Sequence, residues 1–190
     1  MIIRLMRHGD APKGQDGERH LSIEHRALLE AGEVDVGMKG ENKFILHSHT
    51  VRTFETAEAL AKGLALKDGS SLNIGRTAFL GSDETLAKME SFEGFEEIYK
   101  RYYKPGESFE KYLKALEYYP ALKAYYEELV DTAGEIIQET VDSSIIDAGI
   151  IFVFHSTLIE GVIWKITGSI VKCLPGMGHY SIDTNTKKLI

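Results

Sequence analysis

The chain is short of cysteine, of basic charge and of long apolar runs. One cysteine in 190 residues, Cys173, excludes an intrachain disulfide and suits a reducing compartment; a small core or near-surface thiol accounts for it. No apolar run is long enough to span a bilayer. The first apolar segment is short and leads straight into Arg7-His8, which is not the layout of a signal peptide, so a cytoplasmic location is expected. Basic residues number 22 against 29 acidic ones, and the formal net charge is −7. Nonspecific nucleic-acid binding needs a basic face, so nucleic acid and membrane are not expected partners. If the chain binds a phosphate, a local cationic pocket must do it. No internal repeat, low-complexity segment or linker is present. The length and the 43% hydrophobic content fit one globular domain, 1–190, with a sizeable core.

Apolar residues run from Ile2 and stop at Arg7-His8-Gly9. This predicts a buried strand with a cation and an imidazole at its carboxyl end, where open α/β sheets place ligands. Gly9 would let the backbone turn sharply and approach a ligand. Ser22 could cap a first helix with Ala27, Ala31, Val34 and Met38 on one stripe and Gly32 in its middle. Residues 43–48 predict a second strand. A helix follows with Val51, Phe54, Ala57, Leu60 and Leu64 on one face and Gly63 near its end. Residues 72–79 predict a third strand. From 83 to 141 helical spacing dominates, punctuated by Pro105-Gly106 and Pro120. Its tyrosines read mostly as packing residues. Residues 149–154 form the most hydrophobic run, a strand covered on both faces, which ends in His155. A helix spans 158–167, and two strands close the chain at 178–183 and 186–190. Strands alternating with helices predict an α/β fold.

Three strands therefore end in chemically capable residues: Arg7-His8, Ser48 with Arg52 beyond it, and His155. Such a cluster repels itself unless an anion sits in its middle, and phosphate suits Arg forks and a helix N-terminus. A plainer reading, surface Arg and His after a strand, fits each residue taken singly.

The ordered set has a close likeness. Leu5-Met6-Arg7-His8-Gly9 resembles the opening motif of the histidine phosphatase superfamily, the phosphoglycerate-mutase-like proteins. Ser48 to Ala57 resembles its S-x-x-x-R-x-x-x-T-A segment. Phe154-His155 resembles its second histidine, and Arg19-His20-Leu21-Ser22 its lead-in to the first helix. The resemblance implies a three-layer α/β/α sandwich with a mostly parallel central sheet and a helical cap insertion at about 84–120. It also implies hydrolysis of a small phosphomonoester through a phosphohistidine on His8. Arg7, Arg52 and His155 would bind the phosphoryl oxygens, with Gly9, Ser48 and Ser156 as substrate-binding candidates. No metal or other cofactor is implied, because those cations do a metal's electrostatic work.

An alkoxide leaving group needs a general acid. The family's L-x-E spacing puts Ser82 where that acid belongs, so Asp83 and Glu84 are candidates one and two positions late. Helix capping suits both equally well. Glu90 and Glu93 are remoter and read better as solvated helix faces. The departure keeps a phosphohistidine protein phosphatase open, since imidazole leaves more easily than an alkoxide and the opening through Ala11 is similar to that branch. Asp10 and Lys13 depart from the mutase branch of the family, which puts mutase activity in doubt. Two further alternatives are a metal-dependent hydrolase using His47 and His49 and a non-catalytic phospho-ligand-binding module. The expected partner is a small phosphorylated substrate, with a homodimer left open.

Overall fold

The computed structural model describes residues 1–15, 17–37, 43–69, 72–77, 81–144 and 149–190. Strand β1 (Ile2–Arg7) is apolar because it is covered on both faces: Ile3 and Leu5 face one core and Met6 the other. Arg4 is the buried exception. Its guanidinium donates to the carbonyls of Val36 (2.8 Å) and Gly37 (2.7 Å), so the charge enters the interior already hydrogen-bonded. Strands β2 (Lys43–His47), β3 (Leu72–Arg76), β4 (Gly149–Phe154), β5 (His179–Asp183) and β6 (Lys188–Leu189) join β1 in one sheet of order β3-β2-β4-β1-β5-β6. β4 lies in the middle and all six of its residues are buried. The first four strands in that order run parallel, and β5 and β6 are antiparallel additions at one edge. The sheet is mixed.

Helices α1 (Ile23–Glu30) and α2 (Val51–Asp68) cover one face. Helices α6 (Pro120–Ser143) and α7 (Leu158–Thr167) cover the other, packed with α3 (Asp83–Glu90), α4 (Phe95–Tyr102) and α5 (Glu110–Leu116) into a second core. The three-layer arrangement is the expected one.

Several local expectations are corrected. Helix α1 is shorter than its apolar stripe suggests, because Gly32 (φ 70°) ends it: Glu33 N–H bonds to the Leu28 carbonyl and Gly32 N–H to that of Leu29. Its buried residue is Leu29, while Ala27 is exposed and Met38 lies outside the described residues. Gly63 does not end α2. The left-handed terminator is Gly69 (φ 69°), and Gly63 sits where α2 crosses α1. Phe54 is 46% exposed, and Thr53 and Thr56 take the buried positions beside it. The third strand is described to Arg76, and 78–79 lie outside the described residues.

A Cβ on Gly63 would stand 1.8 Å from the Leu29 carbonyl oxygen, and backbone cannot give way as a side-chain tip can. Gly63→Ala is expected to cost about 1–3 kcal/mol by overpacking, read as a lower urea midpoint at unchanged slope. An unshifted midpoint would show that the two helices can part without loss.

Candidate active site

β1 and β4 are parallel neighbours with Arg7 opposite Phe154, so both chains leave the sheet side by side. His8 N–H bonds to the Phe154 carbonyl (3.1 Å), and the rings of His8 and His155 meet edge to face with centroids 5.2 Å apart. β2 lies on the far side of β4, and Ser48 N–H bonds to the Val153 carbonyl (3.1 Å). That register carries Thr50, the cap of α2, and then Arg52 in its first turn to the same edge. Arg7, His8, Arg52 and His155 line one pocket of about 580 Å³. Leu86, Met89 and Glu90 of α3 and Phe95 and Tyr99 of α4 form its other wall.

Each imidazole is held by hydrogen bonds at its ring nitrogens. His8 Nδ1 lies 2.6 Å from the Gly9 carbonyl. A carbonyl only accepts, so Nδ1 carries the proton and Nε2 keeps its lone pair. His155 Nε2 lies 2.9 Å from Ser48 Oγ, which itself donates to Thr53 Oγ1 (3.0 Å); Thr53 Oγ1 in turn donates to the Ser48 carbonyl (2.8 Å). With the Ser48 proton spent on Thr53, His155 Nε2 is the donor in its bond to Ser48. Burial pushes the His8 pKa down to about 3, helped by the charges of Arg52, Arg7 and Arg19 and opposed by the Gly9 carbonyl. Burial, then His8 and Arg52, hold His155 well below its ordinary value. Both rings are neutral at pH 7. The Nε–H groups of Arg7 and Arg52 are buried and have no hydrogen-bond partner among the described residues. Buried donors of that kind are rare, and two at one pocket are what an oxyanion would satisfy.

Gly9 serves packing rather than a turn: its φ is not positive, and a Cβ there would meet Leu21 Cδ1 at 2.3 Å and His25 Cβ at 3.2 Å, so the Leu21 tip would have to shift. Its N–H bonds to Thr56 Oγ1 (3.2 Å). Ser48 is fully buried behind His155 and does not line the pocket, so it orients the ring. Ser156 does line it, with its hydroxyl 3.3 Å from that of Tyr99. Ser82 caps α3 by accepting from Thr85 N–H (3.1 Å). Asp83 and Glu84 follow it on an exposed first turn outside the pocket lining, although the Asp83 charge reaches Arg52. The pocket carboxylates are Asp10, Glu90 and Glu96, the last paired with Lys100. His47 is buried and donates to the Ser48 carbonyl (2.8 Å), whereas His49 is exposed. The sequence does not mark Arg19 as a site residue and offers Glu90 only as a remote acid candidate; both line the pocket. Arg19 lines the pocket and acts on His8 and Arg52; its signal was the Arg-x-Leu-Ser segment before α1. Glu90 had no signal beyond helical spacing.

Because the two buried histidines bind fewer protons folded than unfolded, stability falls as pH drops through 6.5 toward 3. Each contributes a slope of up to ~1.4 kcal/mol per pH unit. Urea midpoints between pH 7.5 and 5 are expected to decline, less steeply in His8→Asn and less steeply with added phosphate. Equal slopes in wild type and His8→Asn would count against the electrostatic account.

No family model and no curated protein sequence matches the chain. Solved structures do. Open reading frame Rv3214 of Mycobacterium tuberculosis superposes with a TM-score of 0.58 at 18% identity, over 100% of this chain and 95% of that one. The mycobacterial glucosyl-3-phosphoglycerate phosphatase in complex with VO3 gives 0.58 at 14% identity, over 96% and 92%. A candidate phosphohistidine phosphatase, SixA of Agrobacterium tumefaciens, gives 0.53 at 14% identity, over 100% and 95%. These structures belong to the histidine phosphatase superfamily, and at such identity the likeness is one of architecture. The chain has the fold of the histidine phosphatase superfamily.

Proposed function

We propose that the chain is a phosphatase that transfers the phosphoryl group of a small phosphomonoester to water through His8. The observation that carries this reading is the neutral His8 ring, its Nδ1 tied to the Gly9 carbonyl, in a pocket with two arginines whose buried Nε–H groups lack partners among the described residues. The Nε2 lone pair attacks phosphorus in line and the ester P–O bond breaks. The phosphorylated ring becomes cationic, and the Nδ1–H···O=C bond then strengthens. Arg7 and Arg52 stabilise the charge on the equatorial oxygens, the electrostatic work that dominates phosphoryl transfer, while the neutral His155, its Nε2–H given to Ser48, packs against the His8 ring. Water attacks the phosphohistidine and the P–N bond breaks, which restores His8.

The leaving oxygen takes its proton from a carboxyl group. Glu90 has this role ahead of Asp83 and Glu84, because it lines the pocket and they do not. It then takes the proton of the attacking water. The part of the substrate beyond phosphorus meets Leu86, Met89, Phe95 and Tyr99. That wall favours a small ester over the phosphohistidine of a folded protein. The mycobacterial neighbour named as a glucosyl-3-phosphoglycerate phosphatase supports the same reaction class.

His8→Ala is expected to abolish turnover of p-nitrophenyl phosphate while retaining measurable phosphate affinity, and acid-labile, alkali-stable label should appear on wild type alone. Turnover by the His8→Ala chain at the wild-type rate would sink the covalent route, and loss of wild-type turnover in EDTA would point to the metal-dependent alternative. Arg52→Ala should lower kcat by about 10²–10³. Glu90→Gln should slow an alkyl phosphate far more than p-nitrophenyl phosphate, whose leaving group needs no proton. If Asp83→Asn or Glu84→Gln shows that pattern instead, the acid belongs to the start of α3.

A further inference from the structure

We infer that Glu160 is a positioning residue of the phosphate cup: its carboxylate holds Arg7 and the His155–Thr157 turn in place and ties both to the aromatic wall through Tyr103. The inference rests on the reading of the cup as an oxyanion site.

Glu160 lies on α7 and is fully buried, and among the described residues it has no cationic partner. Three donors point into it. Tyr103 OH (2.7 Å) and Leu174 N–H (2.8 Å) reach Oε1, and Thr157 N–H (2.8 Å) reaches Oε2. A capping box on α7 explains only the last of these. The other two run to the segments that flank the pocket.

The Leu174 bond bears on Arg7. The carbonyl of the same residue accepts Arg7 Nη1 at 2.6 Å and also faces Tyr103 OH at 3.1 Å. The Arg7 guanidinium lies over the Tyr103 ring, 5.6 Å from its centroid. Glu160 therefore fixes Leu174, whose carbonyl holds Arg7 Nη1, and the ring over which the Arg7 head lies. Tyr103 in turn stacks on Tyr99 (5.1 Å), and Tyr99 on Phe95 (5.7 Å), so the column that ends at Arg7 begins in the pocket wall.

The Thr157 bond bears on His155. Thr157 adopts φ 69°, a left-handed conformation that a β-branched residue rarely takes and that needs outside support. Glu160 supports its N–H, and Tyr126 OH donates to its carbonyl (2.6 Å). The turn so clamped presents His155 and Ser156 to the pocket.

Only a carboxylate suits this place. Glutamine would keep one acceptor oxygen and turn an NH2 either against Thr157 N–H or against the Leu174 and Tyr103 donors. The test is inorganic phosphate binding to the full chain by titration calorimetry, on wild type, Glu160→Gln, Arg7→Ala and the double variant. Glu160→Gln should weaken binding by about tenfold or more, and this loss should shrink at least threefold when Arg7 is absent, as for residues acting through one another. General loosening of the fold would give equal losses in both backgrounds and would overturn the inference, as would unchanged affinity in Glu160→Gln. Should Glu160→Gln not fold, Tyr103→Phe keeps the ring beside Arg7 and removes one of the three donors. Its smaller loss, about threefold, should again depend on Arg7, and independence overturns the inference. A wild-type chain that binds no phosphate would overturn the reading of the cup and this inference together.

Discussion

Everything at the pocket follows from the parallel pairing of β1 with β4. The two strands are separated by most of the chain, yet the ladder sets Arg7 beside Phe154 and lets His8 N–H reach the Phe154 carbonyl. Side chains alternate across a strand, so a slip of one residue would send every one of them to the opposite face. Both faces of this sheet are packed, β4 along its whole length, and neither could accept such a slip. The hydrophobic cores thus set the separation of two imidazoles that touch neither core's centre. The Gly63 crossing of α1 over α2 works in the same direction, because it seats the segment that packs Leu21 and His25 against Gly9.

The pocket is built against its own electrostatics. Two guanidinium groups and two imidazoles share one sheet edge, and the cluster lowers its repulsion by keeping both rings neutral. That choice has a chemical consequence. A neutral ring whose Nδ1 donates to a carbonyl has its lone pair on Nε2, so burial that costs the imidazolium form also prepares a nucleophile. The dianionic charge of a phosphate would relieve the arginines without any metal ligand set. The overall charge of −7 does not oppose this, because a small pocket with its own cations governs its local field.

Around the cup, support comes from groups that never face the pocket. Ser48, Thr53 and the Gly9 carbonyl fix ring orientation from behind, and Glu160 gathers donors from α7, the 174 segment and the end of α4. Of the first set, Ser48 stood out in the sequence, four residues before Arg52 at a strand end, and there as a substrate-binding candidate. Glu160 did not. In the sequence it is an acidic residue in the first turn of a helix, where capping explains it fully; its burial depends on residues 103 and 174, which only the fold brings near. Glu90 was hidden for the same reason, since a carboxylate on a short amphipathic helix looks solvated until something is known to stand opposite. Arg19 carried a motif signal, yet its reach into the pocket depends on how the loop before α1 folds back.

What the chain's order of residues determined by itself is the set of strands, their polar carboxyl ends and the four residues Arg7, His8, Arg52 and His155, because apolar runs and abrupt stops are local features. Tertiary structure decided the rest: that α1 stops at Gly32, that Gly63 is a crossing point, that β5 and β6 run antiparallel, and which carboxylates meet the pocket. Each of these depends on what lies across a gap between distant segments, and distance in space is not encoded in any window of neighbouring residues.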